Sequence, residues 1–176
     1  MLRWSLFALV VAACAPSGPS GDSSVDVVMY GLAIASPDPS APDVLAQDAS
    51  IDLRLGFQGF RYIRVALVAT GDAPSVTPAR ATLEIDGFDR AEQLFSAVDL
   101  RLAADGRRVS APLMIFANDV APAAANGRHA RLTIVLDDRR RRAEAVLDGL
   151  VRWDPDCIEG PDFQCRSLSD GGANEH

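Results

Sequence analysis

Arg139, Arg140, Arg141 and Arg142 stand in a row and form the only basic run of the chain. Guanidinium groups so placed can grip phosphates of lipopolysaccharide, or an acidic partner, through bidentate hydrogen bonds. Asp137, Asp138 and Glu144 flank the run, and with those charges at hand a solvated turn is the favoured reading. Phe57, Phe60 and Tyr62 form an aromatic group that could stack on sugar rings, with Gln58 and Arg61 donating hydrogen bonds. Alternation in the neighbouring strands puts Phe57 with the inward set, so core packing is its default, and the same default holds for Trp153. Aspartates gather at Asp86 and Asp89 beside Gly87, and at Asp154, Asp156 and Asp162. Calcium needs six to eight oxygens, and these positions lack the spaced ladder ending in a bidentate glutamate, so turn capping accounts for them. Hydrolytic chemistry of the Ser-His-acid kind would have to use His129 or His176, the only two histidines. His129 opens a strand beside Arg128 and Arg131 and reads as solvated. Neither a nucleophile elbow, a zinc-protease helix, a phosphate-cradling loop nor a dinucleotide fingerprint occurs, so the chain is expected not to be an enzyme and to need no cofactor. Cys157 and Cys165 would supply half a zinc ligand set with no histidine nearby, and no metal site is expected.

The elements that must carry these residues read as strands. Residues 25–35 are apolar on both faces and stop at a proline-rich loop. Ile51, Leu53, Leu55 and Phe57 alternate with polar residues, as do Ile63, Val65 and Leu67, and Gly56 and Gly59 between them suit a tight hairpin or bulge. Ala81, Leu83 and Ile85 follow, then Val98, Leu100 and Leu102, then a short apolar strand over residues 112–116. A last hairpin sets Ala130, Leu132, Ile134 and Leu136 against Ala143, Ala145 and Leu147, turning through residues 138–142. Two stretches also fit helical spacing. Ala91, Leu94, Phe95 and Val98 suggest a short helix crossing between sheets, whereas around Leu147, Leu150 and Val151 the presence of Gly149 favours a strand with a bulge. About eight short strands with little helix predict an all-β fold, an immunoglobulin-like or related antiparallel β-sandwich.

The start of the chain speaks of location. Arg3 precedes an apolar stretch too short to span a bilayer, as in a targeting segment. Val11-Ala12-Ala13-Cys14 at its end resembles the lipobox of bacterial lipoproteins at all four positions. That resemblance implies a signal peptide over residues 1–13 and a lipidated Cys14. A flexible tether over residues 14–23 follows, rich in serine, glycine and proline. Ala15 after the anchor favours the outer membrane, with the body facing the periplasm or the cell surface. In that compartment disulfides persist, and Cys157 and Cys165 are expected to pair. The sandwich would then occupy residues 24–155, with a disulfide loop and tail over 156–176.

All 17 basic residues are arginine, against 24 acidic residues. Loss of Arg3 with the signal leaves a net charge of −8, which disfavours nucleic acid as a partner. With 48% hydrophobic residues the remainder can bury one core. Gly56, Gln58, Gly59, Tyr62 and Ile63 resemble a stretch of uncharacterised myxobacterial lipoproteins. Residues 135–145 are similar to the last hairpin of those chains, which more often have a glycine where Arg140 stands here. The resemblance implies a secreted sandwich and no reaction. The expected role is therefore a non-catalytic interaction or structural module of the envelope, bound to the membrane by lipid and to another envelope protein. The alternative is a glycan- or calcium-dependent carbohydrate-binding module. An open sheet edge would favour the first by inviting strand addition; an exposed pair of aromatics would favour the second.

Overall fold

In a computed structural model, the described residues are 28–38, 42–56, 58–162 and 164–167. They form eleven strands: β1 Val28–Met29, β2 Gly31–Ala35, β3 Ile51–Gly56, β4 Arg61–Thr70, β5 Val76–Ile85, β6 Ala91–Leu102, β7 Arg108–Ser110, β8 Leu113–Phe116, β9 His129–Asp137, β10 Arg141–Glu159 and β11 Cys165–Ser167. One short helix, α1 Pro122–Ala125, lies between β8 and β9. The all-β expectation holds.

Hydrogen bonding runs round a closed circuit of seven strands, β10–β3–β4–β7–β6–β5–β9 and back to β10, so the sheet is a barrel. Closure departs from a purely antiparallel sandwich at one seam. The first half of β10 pairs antiparallel with β9, from Arg142↔Asp137 to Leu150↔His129, while its second half pairs parallel with β3, from Val151↔Ile51 to Glu159↔Gly56. A 19-residue strand thus serves two neighbours in succession. β1 also joins β10 in parallel, at Val28↔Arg141 and Met29↔Arg142. The apolar run expected over residues 25–35 is broken at Tyr30 into β1 and β2, and its first three residues lie outside the described ones. β7 and β8 follow one another along β4, and β2 and β3 share its other edge.

Alternation places the core. Leu83 and Ile85 of β5, Leu132, Ile134 and Leu136 of β9, Ala143, Ala145 and Leu147 of β10, and Ile63, Val65 and Leu67 of β4 all point inward and are buried. The β9–β10 hairpin keeps the expected partners, Leu136↔Ala143, Ile134↔Ala145 and Leu132↔Leu147. Leu102, expected inward, is 68% exposed at the end of β6.

The helix expected from Ala91, Leu94, Phe95 and Val98 is a strand, β6, paired antiparallel with β5. Its register is Thr77↔Val98 and Ala79↔Phe95, so Pro78 alone faces both Ser96 and Ala97. This one-residue bulge shifts the inward phase from Ala91, Gln93 and Phe95 to Val98 and Leu100. The shift turns a period of two into spacings of four and three, which imitate a helix. Proline lacks the N–H a regular ladder would use, and it sits where the ladder is interrupted.

No bulge occurs at Gly149; register with β9 passes through Gly149↔Ala130 unbroken. The irregularity lies further on, between Trp153 and Ile158, where β10 bends along β3. Gly149 has another reason to be glycine: a Cβ there would collide with the backbone carbonyl of Ala49. Residues 46–49 cross β10 at this point. They are tied down by Gln47 Nε2 donating to the Val146 carbonyl at 2.9 Å and Asp48 N donating to the Asp148 carbonyl at 2.9 Å.

Candidate functional site

β2 and β3 leave a gap between their ends where they share one edge of β4, and a cleft of about 720 Å³ opens there. Ile51, Ile63, Val65 and Leu147 give it an apolar wall. Its polar wall is built around Glu159, the last residue of β10, whose side chain is only 3% exposed. Tyr62 of β4 donates its hydroxyl hydrogen to Glu159 Oε2 at 2.6 Å. Arg54 Nε lies 3.6 Å from Glu159 Oε1, and Arg64 Nη1 lies 3.8 Å from Oε2. Arg54 is also anchored through Nη2 to Asp52 Oδ2 at 2.7 Å, and Arg152 meets Asp52 through two bonds of 2.8 Å. The remaining nitrogen of Arg54, Nη1, faces sulfur: Cys165 Sγ at 3.5 Å and Cys157 Sγ at 3.8 Å.

Those two cysteines are joined as the sequence led us to expect, with Cα atoms 4.9 Å apart. The bridge closes the hairpin of β10 and β11 through Glu159↔Cys165, so the sheet continues past the boundary expected at residue 155. Cys157 is buried at 4% exposure, whereas Cys165 is exposed. Asp154 and Asp162 cap turns as expected, accepting from the N–H of Asp156 at 3.0 Å and of Gln164 at 3.4 Å. Among the described residues no group of three or more His, Cys, Asp or Glu could hold a metal ion. Glu159 accepts the hydrogen bond of a phenol and has two guanidinium groups at ion-pair distance. Buried carboxylates held in this way knit elements together, here β3, β4 and β10.

Burial, with the hydrogen bond to Glu159 and its negative charge adding to it, pushes the Tyr62 phenol well above its ordinary value of 10. Tyr30 rises to about 12, through burial first and the nearby charge of Asp138 second. A phenol whose folded value exceeds its unfolded one stabilises the fold fully below the unfolded value and loses that contribution as pH climbs through the folded one. Chemical denaturation should therefore show stability falling from pH 10 upward, with the loss spread towards pH 12 and beyond. Tyr62→Phe should flatten part of that fall.

The arginine run lies at the β9–β10 turn. Asp137 Oδ1 accepts from Arg139 N at 2.9 Å, and Asp138 Oδ1 accepts from Arg140 N and Arg141 N at 3.0 and 2.6 Å. Arg141 reaches the Asp72 carbonyl at 3.3 Å, and Arg142 lies 3.9 Å from Glu144. Within the run, Arg139 and Arg140 are exposed and point no side chain at a partner among the described residues. Arg139, not Arg140, occupies the left-handed conformation that suits glycine, at φ 75°. Arg139→Gly should leave stability unchanged or raise it by up to about 1 kcal/mol in a urea titration, whereas Arg140→Gly brings no such relief.

The aromatic group divides. Phe57 lies outside the described residues, as does Cys14 with the signal and tether. Tyr62 is buried at 5% exposure. Phe60 is exposed and meets Phe116 of β8 edge to face, ring centroids 5.9 Å apart. Phe116 was not among the residues singled out from sequence. His129 is exposed, 3.9 Å from Asp148, and Trp153 is half-buried. The outer edge of β8 is covered by a side chain: Gln93 of β6 donates to the Met114 carbonyl and accepts from Phe116 N, each at 3.0 Å. Its amide acts as one residue of a neighbouring strand. No family model matches the chain, and no curated protein does.

Proposed function

We propose that this chain is a lipid-anchored protein of the bacterial envelope, attached through Cys14 to the outer membrane, whose barrel is a non-catalytic interaction or structural module. The observation that carries the reading is the Cys157–Cys165 disulfide in a β body that begins fourteen residues beyond Cys14, since such bonds persist outside the reducing cytosol. In this reading the barrel is a sandwich closed at its corners, supported by the pairing of β5 with β6 and β9, of β4 with β3 and β8, and of β10 with both β9 and β3. With β8 covered by Gln93, the edges left for strand addition by a partner include those of β1 and β11, each paired with β10 alone among the described residues. Arg139 and Arg140 at the β9–β10 turn are the partner contacts of this reading.

The carbohydrate-binding alternative draws its support from the Phe60–Phe116 pair, 46% and 39% exposed. It is carried by aromatic stacking.

Labelled palmitate should enter the wild type and not Cys14→Ser, and the labelled protein should sediment with outer-membrane vesicles. Unprocessed chain in the soluble lysate overturns the anchor. In-cell crosslinking from Arg140 should trap one discrete envelope protein. Crosslinks from Phe116 to glycan alone would replace the first reading by the second.

A further inference from the structure

We propose that the Cys157–Cys165 bridge is a thiol–disulfide exchange site, reducible by a dithiol in the folded protein and activated by Arg54. Three observations carry this. The guanidinium of Arg54 is fixed by two carboxylates, Asp52 on Nη2 and Glu159 on Nε, so its position does not depend on the sulfurs. Its Nη1 faces both sulfurs, at 3.5 and 3.8 Å. The two ends of the bond differ in access, since Cys165 is exposed and Cys157 is 4% exposed.

A cation beside a sulfur favours its thiolate, and a leaving thiol of lower pKa departs faster in exchange. The chemistry is directional. A thiolate of the dithiol attacks the accessible Sγ of Cys165, forming a mixed disulfide and breaking the bond to Cys157, whose sulfur leaves as a thiolate next to Arg54. The second thiolate of the dithiol then attacks its own sulfur in the mixed disulfide and releases Cys165. Two electrons pass to the protein, solvent supplies the protons, and the dithiol ends as a disulfide. The product is an unbridged β10–β11 hairpin. Gln164, from the loop it spans, lines the cleft, so reduction loosens one rim of that opening.

The test uses the purified chain without denaturant, with dithiothreitol as the dithiol and thiol trapping at intervals. Wild type should reduce to completion, Arg54→Gln should reduce about three- to tenfold more slowly, and Arg54→Lys should stay near wild type because charge is retained. Wild type that resists reduction while folded overturns the proposal, as does a folded Arg54→Gln that reduces as fast. Should Arg54→Gln not fold, the reduced wild type decides: its rate of alkylation by iodoacetamide should rise with a midpoint below the ordinary thiol value of about 8.5. A midpoint at or above that value overturns it.

Discussion

Gly149→Val should lower the stability of the barrel by about 3 kcal/mol or more, the upper end of what overpacking costs. The added side chain meets backbone, the Ala49 carbonyl, and not the pliable end of a neighbour. Relief would require residues 46–49 to lift off β10, at the cost of the bonds from Gln47 Nε2 and Asp48 N. Gly149→Ala should lose less, about 2 kcal/mol, because one methyl asks for a smaller displacement. Thermal unfolding reads both: each kcal/mol amounts to roughly 2–4 °C for a body of this size. Gly31 offers the comparison. There a Cβ would meet the side-chain hydroxyl of Thr70, which can rotate, so Gly31→Ala should be milder. Equal losses at the two positions would refute the backbone collision.

Glu159→Ala should cost about 2–4 kcal/mol. Removing one partner of a buried ion cluster typically costs about 3–5 kcal/mol, and the 28% and 20% exposure of Arg54 and Arg64 lets water recover part of that. The same substitution leaves the Tyr62 hydroxyl buried without its acceptor. A double-mutant cycle with Tyr62→Phe should return a coupling of about 1–3 kcal/mol, whereas additive losses would mean that the two groups act separately. Glu159→Gln should fall between, since the amide oxygen can still accept from Tyr62. Urea titrations at neutral pH measure all of these.

What could be read in the sequence was what repeats locally. In the β9–β10 hairpin every second residue from Ala130 to Leu147 is apolar on both sides of a turn with two aspartates, so strand, register and inward face were legible together. The bulge opposite Pro78 defeated the same logic in β6, because one extra residue changes the phase and a strand then imitates a helix. Gly149 was noticed as out of place in a strand, but the reason for it sits a hundred residues earlier, at Ala49. Glu159 carried no signal at all. It follows Ile158 in a stretch rich in aspartate, and its partners Arg54, Tyr62 and Arg64 are brought to it only by the parallel pairing of β10 with β3. No local pattern announces a parallel pair, so neither the closure of the barrel nor its cleft could be drawn from periodicity. Gln93 was invisible for a similar reason, as a polar residue at an inward position whose use depends on the strand beside it.

The seam between β10 and the first strands has a consequence for how the polypeptide matures. β1 and β3 both await residues 141–159, more than eighty residues further along the chain, before they gain those neighbours. A chain that emerges amino end first must keep β1 and β3 unpaired on that side until residues 141–159 have emerged. Such long-separation contacts are slow to form. Truncation just before residue 141 should thus yield no smaller domain but an open, protease-sensitive product, in which β1 and β3 lack the neighbour that closes the barrel.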